Sequence, residues 1–177
     1  SNGSGRLGDG TVNDRLTPVS VSGVTTATSV SAGGLHTCAL LADGTVKCWG
    51  YNVNGELGDG SSTTRITPVA VSSLSNVVSL TTGYAGHTCA LISDGTAKCW
   101  GANSAGQLGD GTTTGKTTAV AVSSLLGAVA IARGTAHSCT LLSDGSMKCW
   151  GKNDLGPALG DGTSVNRSTP VQVQNLP

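Results

Sequence analysis

Short apolar runs alternate along this chain with glycine- and hydroxyl-rich turns, and none of them reads as a long amphipathic helix. His36 to Leu41 and Thr45 to Trp49 are two such runs. Ala42-Asp43-Gly44 between them predicts a β-hairpin, with the glycine at the left-handed position of a three-residue loop. A polar loop over Asn52 to Thr67 follows. Two further short strands are then predicted, Pro68 to Val71 and Asn76 to Leu80. The first opens on a proline, as a strand start or an edge strand permits.

The same pattern returns down the chain. Cys-Trp-Gly stands at Cys48, Cys99 and Cys149, and Leu-Gly-Asp-Gly begins at Leu7, Leu57, Leu108 and Leu159, always 50 or 51 residues apart. His36, His87 and His137 each precede a cysteine by two residues, and Ser93-Asp94-Gly95 and Ser143-Asp144-Gly145 repeat the hairpin turn. Four short strands in about fifty residues is the pattern of a propeller blade, whereas a β-solenoid coil needs far fewer residues. The fold class is therefore all-β, built of four-stranded propeller blades in three and a half repeats. The units fall at 1–30 (a half repeat, the C-terminal part of a blade unit), 31–80, 81–131 and 132–177, the last lacking its final strand.

The hairpin also fixes the cysteines. A loop centred on Asp43 pairs residues whose numbers sum to 86, so Cys38 faces Cys48. Directly opposed side chains have Cβ atoms about 4.5–5.5 Å apart, closing toward disulfide range where the pair is not hydrogen-bonded. The same sum predicts Cys89 with Cys99 and Cys139 with Cys149. A metal site is the alternative, but there is no Cys-x-x-Cys, and ligands facing each other in pairs do not make a tetrahedral cluster. Each bridge would contribute about 2–3 kcal/mol by closing its ring in the unfolded chain, and would place the chain in an oxidising, extracellular compartment. Parity puts Cys38, Leu40, Val46 and Cys48 on one face of the hairpin, with Leu41, Lys47 and Trp49 on the other. Both faces carry apolar residues, as stacking between blades requires. Lys47, Lys98 and Lys148 must then run their stems to a blade edge.

Composition narrows the function. Glycine is abundant (27 residues), phenylalanine is absent, and β-branched residues dominate the runs, as short strands and tight turns require. Ten basic residues balance ten acidic ones with no basic run, which argues against a nucleic-acid surface. No apolar stretch reaches the length of a membrane span.

Gly-x-x-His-(Thr/Ser)-Cys-x-Leu-Leu-x-Asp-Gly, then Lys-Cys-Trp-Gly-x-Asn, Gly-x-Leu-Gly-Asp-Gly and Thr-Pro-Val-x-Val, resembles the repeat of the regulator of chromosome condensation family. Trp49, Gly50, Asn52, Gly55, Leu57 and Gly58 carry its specific elements. The resemblance implies a seven-bladed propeller. The paired cysteines set the chain apart from the eukaryotic nuclear members and are similar to secreted bacterial ones. Family activities include nucleotide exchange on a small GTPase with chromatin binding, ultraviolet sensing and, in a relative, β-lactamase inhibition. None maps onto residues of this chain, which lacks a basic face, dense tryptophan clusters and a rim of aromatic anchors.

The expected function is an extracellular repeat scaffold, not an enzyme and without a cofactor, which binds a protein or surface glycan or self-assembles. The alternatives are a secreted enzyme or inhibitor using the loop face, and, more remotely, a nucleotide exchange factor. The three histidines read as structural, each hydrogen-bonded to a neighbouring loop. Asp9, Asp59, Asp110 and Asp161 are weak calcium candidates. Calcium takes six to eight oxygens, so capping of the turn is preferred for these aspartates. Active sites break a repeat, so partner contacts are sought at Tyr84, Arg133, Asp154, Leu155 and Lys116, and in the variable loops 61–64 and 112–116. The half-integral count points to association between copies or to the remainder of a longer propeller. Two chains of three and a half units would make seven.

Overall fold

The structure is a computed structural model and describes residues 1–154 and 156–174. Twelve strands form three antiparallel four-stranded sheets, with no helix among the described residues. Sheet one holds β1 (Ala27–Ala32), β2 (His36–Leu41), β3 (Val46–Gly50) and β4 (Arg65–Ala70). Sheet two holds β5 (Val77–Thr82), β6 (His87–Ile92), β7 (Ala97–Gly101) and β8 (Lys116–Ala121). Sheet three holds β9 (Ala128–Arg133), β10 (His137–Leu142), β11 (Met147–Gly151) and β12 (Arg167–Gln172). Each is a meander, and β1, β5 and β9 are the strands that meet between neighbouring sheets, which makes them the inner strands of three consecutive blades.

The hairpin register is the predicted one. Cys38 opposes Cys48, Leu40 opposes Val46, and Gly44 takes φ 77° in the turn closed by Gly44 N–H donating to Leu41 O at 3.0 Å. All three disulfides are formed, with Cα atoms 4.1 Å apart across each. The edge strand β4 starts three residues earlier than its proline suggested. Pro68 falls where the β3–β4 register shifts, so the missing N–H leaves no gap in the ladder.

The phase of the repeat differs from the sequence reading. The run from Asn76 to Leu80 becomes β5 and pairs with β6, so it opens sheet two instead of completing sheet one. By the same shift β1 straddles the expected boundary at residue 30. The segment Thr17 to Val21, which matches β4 in sequence, forms no strand, because no Cys-Trp strand lies beside it among the described residues.

Blades stack by inserting the tryptophan face of one into the cysteine face of the previous one. Cys38, Leu40, Val46 and Cys48 pack with Leu57, Val71, Val77 and Ala90 around Trp100. The second interface repeats this, with Cys89, Leu91, Cys99 and Leu108 around Trp150. Sheet three presents the same cysteine face without a cover. Leu141 is 39 % exposed, whereas its counterparts Leu40 and Leu91 are 7 % and 3 % exposed. Cys139 is likewise partly exposed while the cysteines of the first two sheets are fully buried. A reductant titration followed by thiol labelling is therefore expected to open Cys139–Cys149 first, with the other two bridges resisting until the fold loosens. Simultaneous opening of all three would contradict this packing.

Candidate functional site

The Leu-Gly-Asp-Gly loops are joints between blades. The Glu56 carbonyl accepts from Trp100 Nε1 of the next blade at 2.9 Å, Gln107 O accepts from Trp150 Nε1 at 3.0 Å, and Arg6 O accepts from Trp49 Nε1 at 2.9 Å. The glycine after the leucine lies against that indole: a Cβ on Gly58 would stand 2.9 Å from Trp100 Nε1, and its φ is 67°. Each loop is held by a buried asparagine. Asn52 Oδ1 accepts from Leu57 N at 2.9 Å, and its Nδ2 donates to the carbonyls of Ser61 and Thr63. Asn103 and Asn153 do the same in their loops.

The calcium candidates are occupied by their own turns. Asp59 Oδ1 accepts from the Ser61 amide at 2.9 Å and hydroxyl at 2.8 Å, while Oδ2 accepts from Arg65 Nε at 3.0 Å. Burial would raise the Asp59 pKa, but these hydrogen bonds outweigh it and hold the carboxyl below its ordinary range. Asp9 with Thr11 and Arg15, Asp110 with Thr112 and Lys116, and Asp161 with Thr163 and Arg167 follow the same plan. Asp, His, Cys and Glu nowhere gather in threes suited to a metal among the described residues.

Two of the three histidines bond across blade boundaries, to strand hydroxyls and not to loops as expected. His36 Nε2 lies 2.8 Å from Thr88 Oγ1, and His87 Nε2 lies 3.0 Å from Ser138 Oγ. Thr88 and Ser138 donate onward to the carbonyls of Glu56 and Gln107, so each accepts from its histidine, which is neutral with the proton on Nε2. The other nitrogen of His87 accepts from Arg133 Nη1 at 3.2 Å. Burial, and then the Arg133 charge, lower the pKa of His36 to about 4 and that of His87 well below its usual value.

This network draws in Arg133, one of the partner-contact candidates. Its guanidinium is turned inward, donating to the His87 carbonyl and packing on Gly83, and burial lowers its pKa to about 9. Its Nε and Nη2 are buried without a hydrogen-bond partner among the described residues. Lys116 is also no breach of the repeat: it stands where Arg15, Arg65 and Arg167 stand and lies 3.7 Å from Asp110. Tyr84 is 80 % exposed and Asp154 is exposed beside Lys152, so both stay available to a partner. Leu155 lies outside the described residues. The lysines do reach a blade edge. Lys47 and Lys98 donate to the carbonyls of Gly23 and Ser73 in the preceding unit, at 3.0 and 3.3 Å.

The joints also differ among themselves at one position. The residue before the leucine of each joint is Arg6, Glu56, Gln107 and Ala158 in turn, a change of size and charge at a repeat-matched place. Glu56 and Gln107 line depressions between successive blades.

Two family models, both described as Regulator of chromosome condensation (RCC1) repeat, match the chain. One covers residues 27–56, 77–107 and 128–156, and the other covers 1–40 and 43–91. The chain belongs to that repeat family. Among solved structures it is similar to yeast RCC1 (Prp20) in its complex with Kap60, at TM-score 0.82 and 20 % identity over 99 % of this chain and 43 % of that one. It is also similar to human WBSCR16, at TM-score 0.81 and 22 % identity over 97 % and 45 %. Prp20p of Saccharomyces cerevisiae, described with its binding to Gsp1p and histones, matches at TM-score 0.76 and 21 % identity over 86 % and 39 %. The chain thus spans less than half the length of each of these structures, and the likeness is one of fold.

Proposed function

We propose that this chain works outside the cell as a disulfide-stapled propeller segment that binds a protein partner through the loops joining its blades. The observation that carries this reading is the bridge repeated at the same place in all three hairpins, since cytosolic thiols are kept reduced. The Leu-Gly-Asp-Gly carboxylates, with His36 and His87, are bound up in turns and blade joints, and no helix is long and apolar enough to cross a membrane among the described residues. Histone binding of the kind named for Prp20p would call for a basic face, and ten basic residues here balance ten acidic ones.

The uncovered cysteine face of sheet three calls for further cover, which favours additional propeller blades over closure with a second copy. Two copies contain six four-stranded sheets, not seven. In such a ring the loop at Leu159 of one copy and the loop at Leu7 of the other would compete for the same Trp49, which Arg6 O already holds. Size-exclusion chromatography with mass measurement, joined to a pull-down from the extracellular fraction using the intact parent protein, tests the proposal. The expected result is a 17.4 kDa monomer for this chain and a captured protein partner for the parent. A stable closed dimer would contradict the first expectation, and recovery of the parent only from reducing cytosol would contradict the extracellular reading.

A further inference from the structure

The depression between the second and third blades differs from its counterpart between the first and second. The earlier one is small, about 170 Å³, and is lined by Tyr51, Asn54, Glu56 and Tyr84. The later one encloses about 860 Å³, because Ala102 stands where Tyr51 does, Ala105 where Asn54 does, and Ala136 joins Ala85 along its walls. That volume is in the range of ligand-binding clefts.

Gln107 supplies the polar point in this apolar space. In the first unit Glu56 Oε2 accepts from Asn54 N at 2.8 Å and Oε1 accepts from Asn54 Nδ2 at 2.7 Å, so both oxygens are used. In the second unit Gln107 Oε1 accepts from Ala105 N at 2.9 Å, which repeats the first bond. Alanine has nothing to offer the other atom. Gln107 is 2 % exposed, and its Nε2 has no hydrogen-bond partner among the described residues, although it lines the cleft. An amide donor at the wall of a cleft can take up an acceptor that a ligand brings. Lys152 lines the same cleft, partly exposed in a long ion pair with the exposed Asp154 at 3.7 Å, and no carboxylate is among the lining residues.

We propose that this cleft takes an acidic peptide segment of the partner, with an Asp or Glu carboxylate on Gln107 Nε2 and Lys152 and a small apolar neighbour against the alanines. Charge argues for the carboxylate, and the alanine walls argue for a peptide. Sugars rest on Trp and Tyr faces, and neither residue lines this cleft. The proposal rests on the protein-binding reading above and assigns its contact site.

Titration of the full chain with acetyl-Ala-Leu-Glu-Ala-amide, followed by ¹H–¹⁵N NMR, tests it. Saturable shifts are expected at the Gln107 side-chain amide and at the Ala102 and Ala105 backbone amides. The peptide with Gln in place of Glu should bind about tenfold more weakly, a difference of about 1.4 kcal/mol. Ala102→Tyr with Ala105→Asn installs the residues of the sister cleft, and should abolish the shifts while leaving the fold intact. No saturable shift at Gln107, equal binding of the two peptides, or binding that survives the double substitution would each overturn the assignment. The peptide comparison uses the unaltered protein and stands even where a variant fails to fold. Capture of a protein partner by the parent carrying the double substitution would remove the cleft and leave the scaffold reading standing.

Discussion

Replacing Trp100 by alanine is expected to lower the unfolding free energy by about 3–5 kcal/mol. The indole is fully buried at the centre of the cluster formed by the cysteine face of sheet one and by Leu57, Val71 and Val77. Its removal leaves a cavity between two blades that rigid strands cannot collapse to fill. It also leaves the Glu56 carbonyl without the Nε1 donor at 2.9 Å that ties the Leu57 loop to the second blade. The loss should therefore be cooperative across the joint, with amides of β5 to β8 and of the Leu57 loop exchanging together. Urea unfolding of the variant against the parent chain measures the first effect and hydrogen exchange the second. Trp49 packs against the amino-terminal loop and not against a preceding blade. Its substitution should free residues 1–22 while sparing the joints between sheets.

Acid should unfold this protein in two stages, and the first belongs to the histidines. His36 has its pKa lowered to about 4 by burial and by Arg133, against an ordinary value of 6.5. The unfolded chain then binds more protons than the folded one between those two values. Stability is thus fully present above pH 6.5 and declines as pH falls toward 4, with His36 alone accounting for about 3 kcal/mol. His87 acts in the same direction, because its proton would have to enter at the nitrogen that now accepts from Arg133. The aspartates that cap the turns follow at lower pH. Their folded pKa values lie below the ordinary 3.8, so the stability they add is lost only as pH falls below that value. Denaturant unfolding at stepped pH should show a slope between pH 6.5 and 4 that flattens in His36→Gln, whatever the absolute stability of that variant. An unchanged slope would mean that His36 is not the neutral donor to Thr88 that the joint requires.

Much of this was legible in the residues, because a hairpin is a local object. The position of Gly44 fixes the turn, the turn fixes the register, and the register brings Cys38 to Cys48 without reference to anything distant. The turn-capping role of Asp59 was legible for the same reason, since Ser61 and Arg65 lie only a few residues on. What the sequence withheld was the phase. A repeat of 50 or 51 residues has no marked beginning, so it cannot say whether Val77 to Leu80 closes one blade or opens the next. The chain answers at Ser73 and Asn76, which adopt positive φ of 54° and 56° and turn it over to the neighbouring sheet. Contacts one full repeat apart were hidden for a related reason. His36 finds Thr88, and His87 finds Ser138, 52 and 51 residues away. Arg133 shows the limit most plainly. As a departure from the repeat it read as a surface contact, but the glycine at position 83 leaves room for its guanidinium to fold inward onto His87. The cleft at Gln107 was written in the alignment of the units, in alanines at 102 and 105 opposite Tyr51 and Asn54. It had no meaning until the blades were seen to face each other there.

The staples underlie both the stacking of these blades and their assignment to an oxidising compartment, so they are the place to test the account. Peptide mapping by mass spectrometry under non-reducing conditions, on protein from its natural source with free thiols blocked at lysis, should return three cross-linked pairs: Cys38 with Cys48, Cys89 with Cys99, and Cys139 with Cys149. Six blocked free thiols, or bridges joining one unit to another, would contradict it.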